Sequence, residues 1–82
     1  MICGGYSNEK IHDDESNEVF ESIKNNIKYS YVKVISYKTQ IVNGINYILK
    51  ILLENEELLF VKVYKDLNNN FEVIEQNIKS DF

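Results

Sequence analysis

Cys3 and His12 are the two residues whose types could support nucleophilic catalysis, because an imidazole can activate a thiol as a nucleophile. They lie nine positions apart, in an N-terminal segment without sustained hydrophobic periodicity. A Cys-His pair needs a rigid framework that keeps both side chains within hydrogen-bond reach, and this segment predicts none. We therefore expect an exposed thiol, an incidental histidine and no catalytic residue, so the chain is not predicted to be an enzyme.

The acidic run Asp13-Asp14-Glu15 is the second group that could do chemistry, because carboxylates can bind hard cations. With one cysteine and one histidine in the whole chain, however, no closed set of metal ligands has the required spacing. The chain also lacks a glycine-rich loop for phosphate. Acidic residues at the start of a helix interact favourably with the helix dipole, and we expect this role for the acidic run. We expect no bound metal and no cofactor.

The segment Gln40-Ile41-Val42-Asn43-Gly44 joins two predicted strands. Asn-Gly favours a tight hairpin because both residues tolerate positive φ. Turns exposed to solvent are usually polar, so the aliphatic Ile41 and Val42 beside this turn indicate a contact surface. Gln40 has two open interpretations: it bonds backbone groups of its own hairpin, or it touches a partner.

Composition narrows the class of protein. A chain of 82 residues, 44% hydrophobic and 27% charged, predicts one globular domain with a simple core. A net charge of −4 with no arginine argues against nucleic-acid binding. One cysteine permits no internal disulfide and favours a reducing compartment. Neither a secretory signal nor an apolar stretch of roughly 20 residues is present, so we expect a cytoplasmic protein with no membrane partner.

One apolar stripe at helical spacing predicts an amphipathic helix from Asp13 to Lys28. The stripe consists of Val19, Phe20, Ile23 and Ile27. Candidate N-caps are Asp13, Asp14 and Ser16.

The remainder of the chain is rich in β-branched and aromatic residues and predicts an antiparallel meander. The expected strands are Tyr29 to Val42, Asn46 to Leu53, Leu58 to Leu67 and a shorter Phe71 to Ile78, with a bulge near Val34-Ile35. Two faces should meet the helix: Tyr47, Leu49, Ile51 and Leu53 on one strand, and Leu59, Val61, Val63 and Leu67 on the next. This is an α+β fold, a single domain over 1–82 in which residues 1–12 form a partly mobile arm.

Several segments together resemble the stefins, the single-domain, disulfide-free, intracellular cystatins. They are Met1-Ile2-Cys3-Gly4-Gly5, Tyr37 to Gly44 followed by Asn46-Tyr47, Val61 to Leu67, and Phe82. The resemblance implies a cystatin-like helix packed on a curved sheet of four to five strands, with an additional first strand from the arm. It further implies a reversible, tight-binding inhibitor of papain-like, cathepsin-type cysteine proteases.

The resemblance also implies where the protease binds. Three segments would form a wedge that fills the cleft: the arm with Ile2, Cys3, Gly4 and Gly5, the hairpin with Gln40, Ile41, Val42, Asn43 and Gly44, and the second hairpin with Leu67, Asn68 and Asn69. Ile2 and Cys3 would occupy unprimed subsites, and the two glycines would let the backbone approach closely. Leu67 would be an aliphatic anchor on the primed side.

Some alternatives stay open at this point. Leu67 is either that anchor or the last core residue of its strand, and the second hairpin has Asn68-Asn69-Asn70 where many stefins carry a proline. A cystatin-like module that binds another protein without inhibiting it is the alternative function. A small isomerase is a third, although this chain is short for an enclosed pocket. We expect a monomer, with dimers through Cys3 or through opening of the first hairpin as further possibilities.

Overall fold

The computed structural model describes residues 5–82, so Ile2, Cys3 and Gly4 lie outside the described residues. Its elements are β1 (Lys10–Ile11), α1 (Asp14–Ile23), a 3₁₀ turn (Lys24–Asn26), β2 (Tyr31–Val42), β3 (Gly44–Leu53), β4 (Leu58–Lys65) and β5 (Phe71–Lys79). The strands form one antiparallel sheet in chain order, β1-β2-β3-β4-β5. One helix packed on an open five-stranded sheet confirms the predicted α+β fold.

Helix α1 starts at a capping box. The backbone N–H of Ser16 donates to Asp13 Oδ1 at 3.1 Å, and the N–H of Asp13 donates to Ser16 Oγ at 2.9 Å, so Asp13 is the N-cap among the three candidates. The α-helix ends at Ile23, earlier than predicted, and continues only as the 3₁₀ turn. The apolar stripe is nevertheless correct, because Val19 and Ile23 are buried and the other two members pack against the core.

The core lies between α1 and one face of the sheet. The predicted inward faces are confirmed for all four residues of β3 and for the three residues within β4: Tyr47, Leu49, Ile51, Leu53, Leu59, Val61 and Val63 are buried. Leu67 is the exception, since β4 ends at Lys65 and 72% of Leu67 is exposed. The interpretation of Leu67 as a core residue was therefore wrong.

Three irregularities adjust the register of the sheet. The pairing of β2 with β3 shifts between Tyr31 and Lys33 and again between Val34 and Ser36, and the latter shift confirms the bulge expected there. The third lies in the pairing of β4 with β5, where Lys62 pairs with Glu75 but Val63 pairs with Val73. β5 is nine residues long, one longer than β4, so the prediction of a shorter last strand was wrong.

The opposite face of the sheet is covered by the last residues of the chain. Phe82 packs edge-on against the buried Phe60, with 4.9 Å between ring centroids. The ammonium of Lys50 lies 3.0 Å from the carboxylate of Asp81, which holds this segment on β3. Among residues 5–82 no helix has the length and apolar character that crossing a bilayer requires.

Candidate functional site

The arm and two hairpins lie at one end of the sheet. Because the strands are antiparallel and in chain order, the β2–β3 and β4–β5 connections fall on the same side. The arm approaches from that side, since the N–H of Ser7 donates to the Thr39 carbonyl at 2.7 Å and the N–H of Thr39 donates to Ser7 Oγ at 3.0 Å. The chain thus brings Gly5 towards the first hairpin, and we call this the tip end.

The described part of the arm is attached to β2. Lys10 pairs with Tyr37 and Ile11 with Ser36, which is the additional first strand that the resemblance implied. The Glu9 carboxylate accepts a hydrogen bond from the Ser36 hydroxyl and lies 3.4 Å from the Lys50 ammonium. The bond from Ser36 is the main reason that the pKa of Glu9 is lowered. The arm therefore enters the tip end from a fixed direction.

Tyr6 is the first large side chain of the described arm. It is half-buried, and the ammonium of Lys62 lies 6.0 Å from the centroid of its ring. Its hydroxyl oxygen is buried and makes no hydrogen bond to any residue from 5 to 82. The contact of Tyr6 with the sheet therefore runs through its ring, over which the Lys62 ammonium lies.

The first hairpin is tighter than predicted. Val42 pairs with Gly44, so Asn43 alone stands between the two strands. Gly44 has φ +114°, whereas Asn43 is not among the residues with positive φ. Of the two residues predicted as the turn, only Gly44 therefore uses the positive φ that both tolerate. Ile41 is 66% exposed beside this turn, so an aliphatic side chain is presented to solvent.

Gln40 lies opposite Asn46 in the β2–β3 pairing. The amide nitrogen of Asn46 donates to Gln40 Oε1 at 3.0 Å. Gln40 thus has a side-chain partner within its own hairpin, and its contact with a protease stays a prediction. The bond braces the hairpin just before the exposed Ile41.

The second hairpin is closed by Asp66, which the predicted strand from Leu58 to Leu67 included. Its Oδ1 accepts from the N–H of Asn68 at 2.8 Å and from the N–H of Asn70 at 3.0 Å. These bonds, that to Asn70 first, lower the pKa of Asp66. Asn69 adopts positive φ at 63°, which asparagine tolerates well. An asparagine loop therefore takes a defined shape without proline and projects Leu67 outwards.

The two hairpins touch each other. The hydroxyl of Tyr64 donates a hydrogen bond to the backbone carbonyl of Asn43. A Cβ at Gly44 would lie 2.5 Å from the carbonyl oxygen of Lys65, so only glycine permits this approach. A shallow depression of about 350 Å³ lies between the tips and is lined by Ile41, Val42, Gly44, Ile45, Lys65, Asp66, Leu67 and Asn69. Sequence reasoning missed Tyr64, because no local pattern reports a contact across 21 positions.

The chemistry of the tip end is that of a contact surface. Ile41 and Leu67 are exposed there, and no cluster of His, Cys, Asp or Glu within residues 5–82 could hold a metal ion. The site residues on the two hairpins, and Gly5 of the arm, are brought to this one end. Ile2, Cys3 and Gly4 remain predictions, since they precede the described residues.

The molecule is thus a small α+β domain that presents two internally bonded hairpins at one end of its sheet. The family model described as a cystatin domain matches residues 13–79. The chain is 36% identical to cystatin-A of Felis catus over 73 residues, covering 82% of this chain and 74% of the relative. It is 35% identical to cystatin-A of Mus musculus over 81 residues, covering 89% and 84%, and 29% identical to cystatin-B of Macaca fuscata fuscata over 73 residues, covering 82% and 74%. The chain belongs to the cystatin family, which confirms the resemblance found in the sequence.

Proposed function

We propose that this protein is a reversible, tight-binding inhibitor of papain-like cysteine proteases. Its cystatin homologues are cysteine protease inhibitors. The observation that carries the proposal is the pair of aliphatic side chains at the tip end, Ile41 at 66% and Leu67 at 72% exposure. Apolar side chains exposed to water are unfavourable in free energy, and their burial against a partner is favourable.

The hairpins would bind as a preformed wedge. Protease inhibitors commonly bury about 800 Å² per partner, and their affinity depends on how little ordering binding requires. The Gln40–Asn46 bond and the Asp66 loop order the two tips before any contact with an enzyme. Val42, Asn43 and Gly44 would cover the catalytic centre with backbone and aliphatic surface, and Asn68 and Asn69 would border Leu67 on the primed side.

The arm would complete the wedge on the unprimed side. Ile2 and Cys3 would occupy subsites there, followed by Gly4 and Gly5. A Cβ placed on Gly5 would meet nothing within 4 Å among residues 5–82, so packing against this part of the chain does not explain a glycine at this position. Close approach of the enzyme does explain it, because a backbone without side chains can pass the catalytic thiol.

The test compares the full chain with a variant lacking residues 1–5, against papain and several cathepsin-type enzymes. We expect reversible inhibition by the full chain, with a marked loss of affinity on deletion. Inhibition of no enzyme in the panel would overturn the proposal and favour the non-inhibitory binding module. Equal inhibition by both forms would show that residues 1–5 do not contribute to binding of the protease.

We further propose that the inhibitor is a cytoplasmic monomer. Dimers through Cys3, or through opening of the hairpin at Ile41 to Gly44, remain predictions. Size-exclusion chromatography with and without reductant, before and after partial heating, tests both kinds of dimer.

A further inference from the structure

The hydroxyl group of Tyr64 links the two hairpins at the tip end. We propose that Tyr64 is a positioning residue that joins the tips into one binding unit and thereby lowers the dissociation rate of the protease complex. The inference rests on the proposed function, because it assigns a role in the same binding surface. Tyr64 was not among the residues expected to touch the protease.

The geometry of the contact shows why a tyrosine is needed. Tyr64 belongs to β4 and pairs with Asn46 on β3, yet its hydroxyl reaches the carbonyl of Asn43 at the turn. Asn43 stands outside the paired residues of the β2–β3 ladder. A phenylalanine would keep the ring but would leave the turn without this bond to β4.

Gly44 makes the contact possible. A Cβ at this position would lie 2.9 Å from the Tyr64 hydroxyl oxygen and 3.0 Å from Cε1 of the ring. The ring therefore lies directly against the Gly44 backbone, which a larger residue would displace. The site thus combines a small residue on one hairpin with a hydroxyl donor from the strand that leads to the other.

Two residues at the end of β4 make hydrogen bonds to the two tips. Tyr64 bonds the first tip, and two residues later Asp66 closes the loop of the second. Movement of the first tip away from β4 must break the Tyr64 bond. The first tip is therefore held against the strand that leads directly into the second loop, which reduces the ordering that the complex requires.

The test is the Tyr64→Phe variant, which removes one oxygen atom. We expect its inhibition constant for papain to rise about 3- to 10-fold, mainly through faster dissociation, with faster hydrogen exchange of the amides at the first tip. The control is Tyr31→Phe, a half-buried tyrosine at the opposite end of β2 whose ring packs on Phe20. The control should leave the dissociation rate unchanged even if it lowers the melting temperature.

A double-mutant cycle with Leu67 tests whether Tyr64 affects both tips or only the first. If Tyr64 acts by fixing one tip relative to the other, Tyr64→Phe should raise the inhibition constant by a smaller factor in a Leu67→Ala background than in the native chain. Strictly additive losses, or equal dissociation rates for Tyr64→Phe and native protein, would overturn the inference. Hydrogen exchange in the free protein does not depend on protease binding, so unchanged exchange at Asn43 and Gly44 would overturn it even if the native chain inhibited no protease.

Discussion

The rings of Tyr37 and Tyr47 lie side by side beneath the start of helix α1, with 6.3 Å between their centroids. The Tyr37 hydroxyl donates to Asp13 Oδ2 at 2.9 Å, and the Tyr47 hydroxyl donates to Glu15 Oε2 at 2.8 Å. Both side chains are buried. The pair therefore ties β2 and β3 to the N-terminus of the helix.

Alkaline pH should destabilise the fold through these two tyrosines. Burial, followed by hydrogen bonds to Asp13 and Glu15, raises the pKa of Tyr37 and Tyr47 above the ordinary value. A raised pKa in the folded state gives stability that is fully present below the ordinary pKa of about 10 and is lost as the pH rises towards the folded value. Tyrosinate absorbance and circular dichroism, recorded together against pH, should show these two of the six tyrosines ionising as the fold is lost. Ionisation of both in the intact fold would contradict this.

Core and tip substitutions should separate stability from binding. Leu49 is fully buried, so Leu49→Ala should lower the free energy of unfolding by about 2–5 kcal/mol. Ile41→Ala should change it by no more than about 0.5 kcal/mol yet weaken protease binding on the order of 10-fold. Urea unfolding and inhibition assays measure the two effects. Val32→Ala, at an exposed position on the other end of β2, is the matched control and should leave inhibition unchanged.

The two described glycines of the site should respond differently to alanine. Gly44→Ala places a Cβ against the Lys65 carbonyl at φ +114° and should cost about 1–3 kcal/mol or more. Gly5→Ala meets no neighbour within 4 Å in the described part of the chain and should leave the melting temperature unchanged while weakening inhibition. Equal stability losses for the two variants would contradict the packing described for Gly44.

Removing the Tyr6 hydroxyl should not harm the fold. A buried hydroxyl without a partner costs free energy relative to water, and that of Tyr6 has none among the described residues. Tyr6→Phe should leave the free energy of unfolding unchanged or raise it by up to about 1 kcal/mol, as measured by urea unfolding. A loss greater than about 1 kcal/mol would reveal a hydrogen bond to this oxygen.

Local patterns were sufficient to predict the helix and the four longer strands of this fold. The helical stripe containing Val19 and Ile23, the cap at Asp13 and the alternation in β3 are all encoded within a few neighbouring residues. Element ends were less predictable: β4 stops at Lys65 because Asp66 forms bonds within the loop and leaves the ladder. Alternation alone placed Leu67 in the core, since it does not report where a strand ends.

Contacts between distant parts of the chain could not be predicted from spacing. The Tyr64–Asn43 bond and the packing of Phe82 on Phe60 each join residues more than 20 positions apart. Strand β1 has only two residues, too few for a periodic pattern, and only the family resemblance implied it. The candidate site was found from an aliphatic turn and that resemblance, whereas the residues that hold it in place required the structure.

The most direct test of the central claim is the inhibition of papain by the native chain and by Ile41→Asp, measured at equilibrium alongside the melting temperature of each. A charge at this exposed position leaves the core untouched but must be desolvated in a protease complex. We predict reversible inhibition by the native chain and an inhibition constant weakened on the order of 100-fold by the substitution, at an unchanged melting temperature. Equal inhibition by the two proteins, or none by the native chain, would contradict the account.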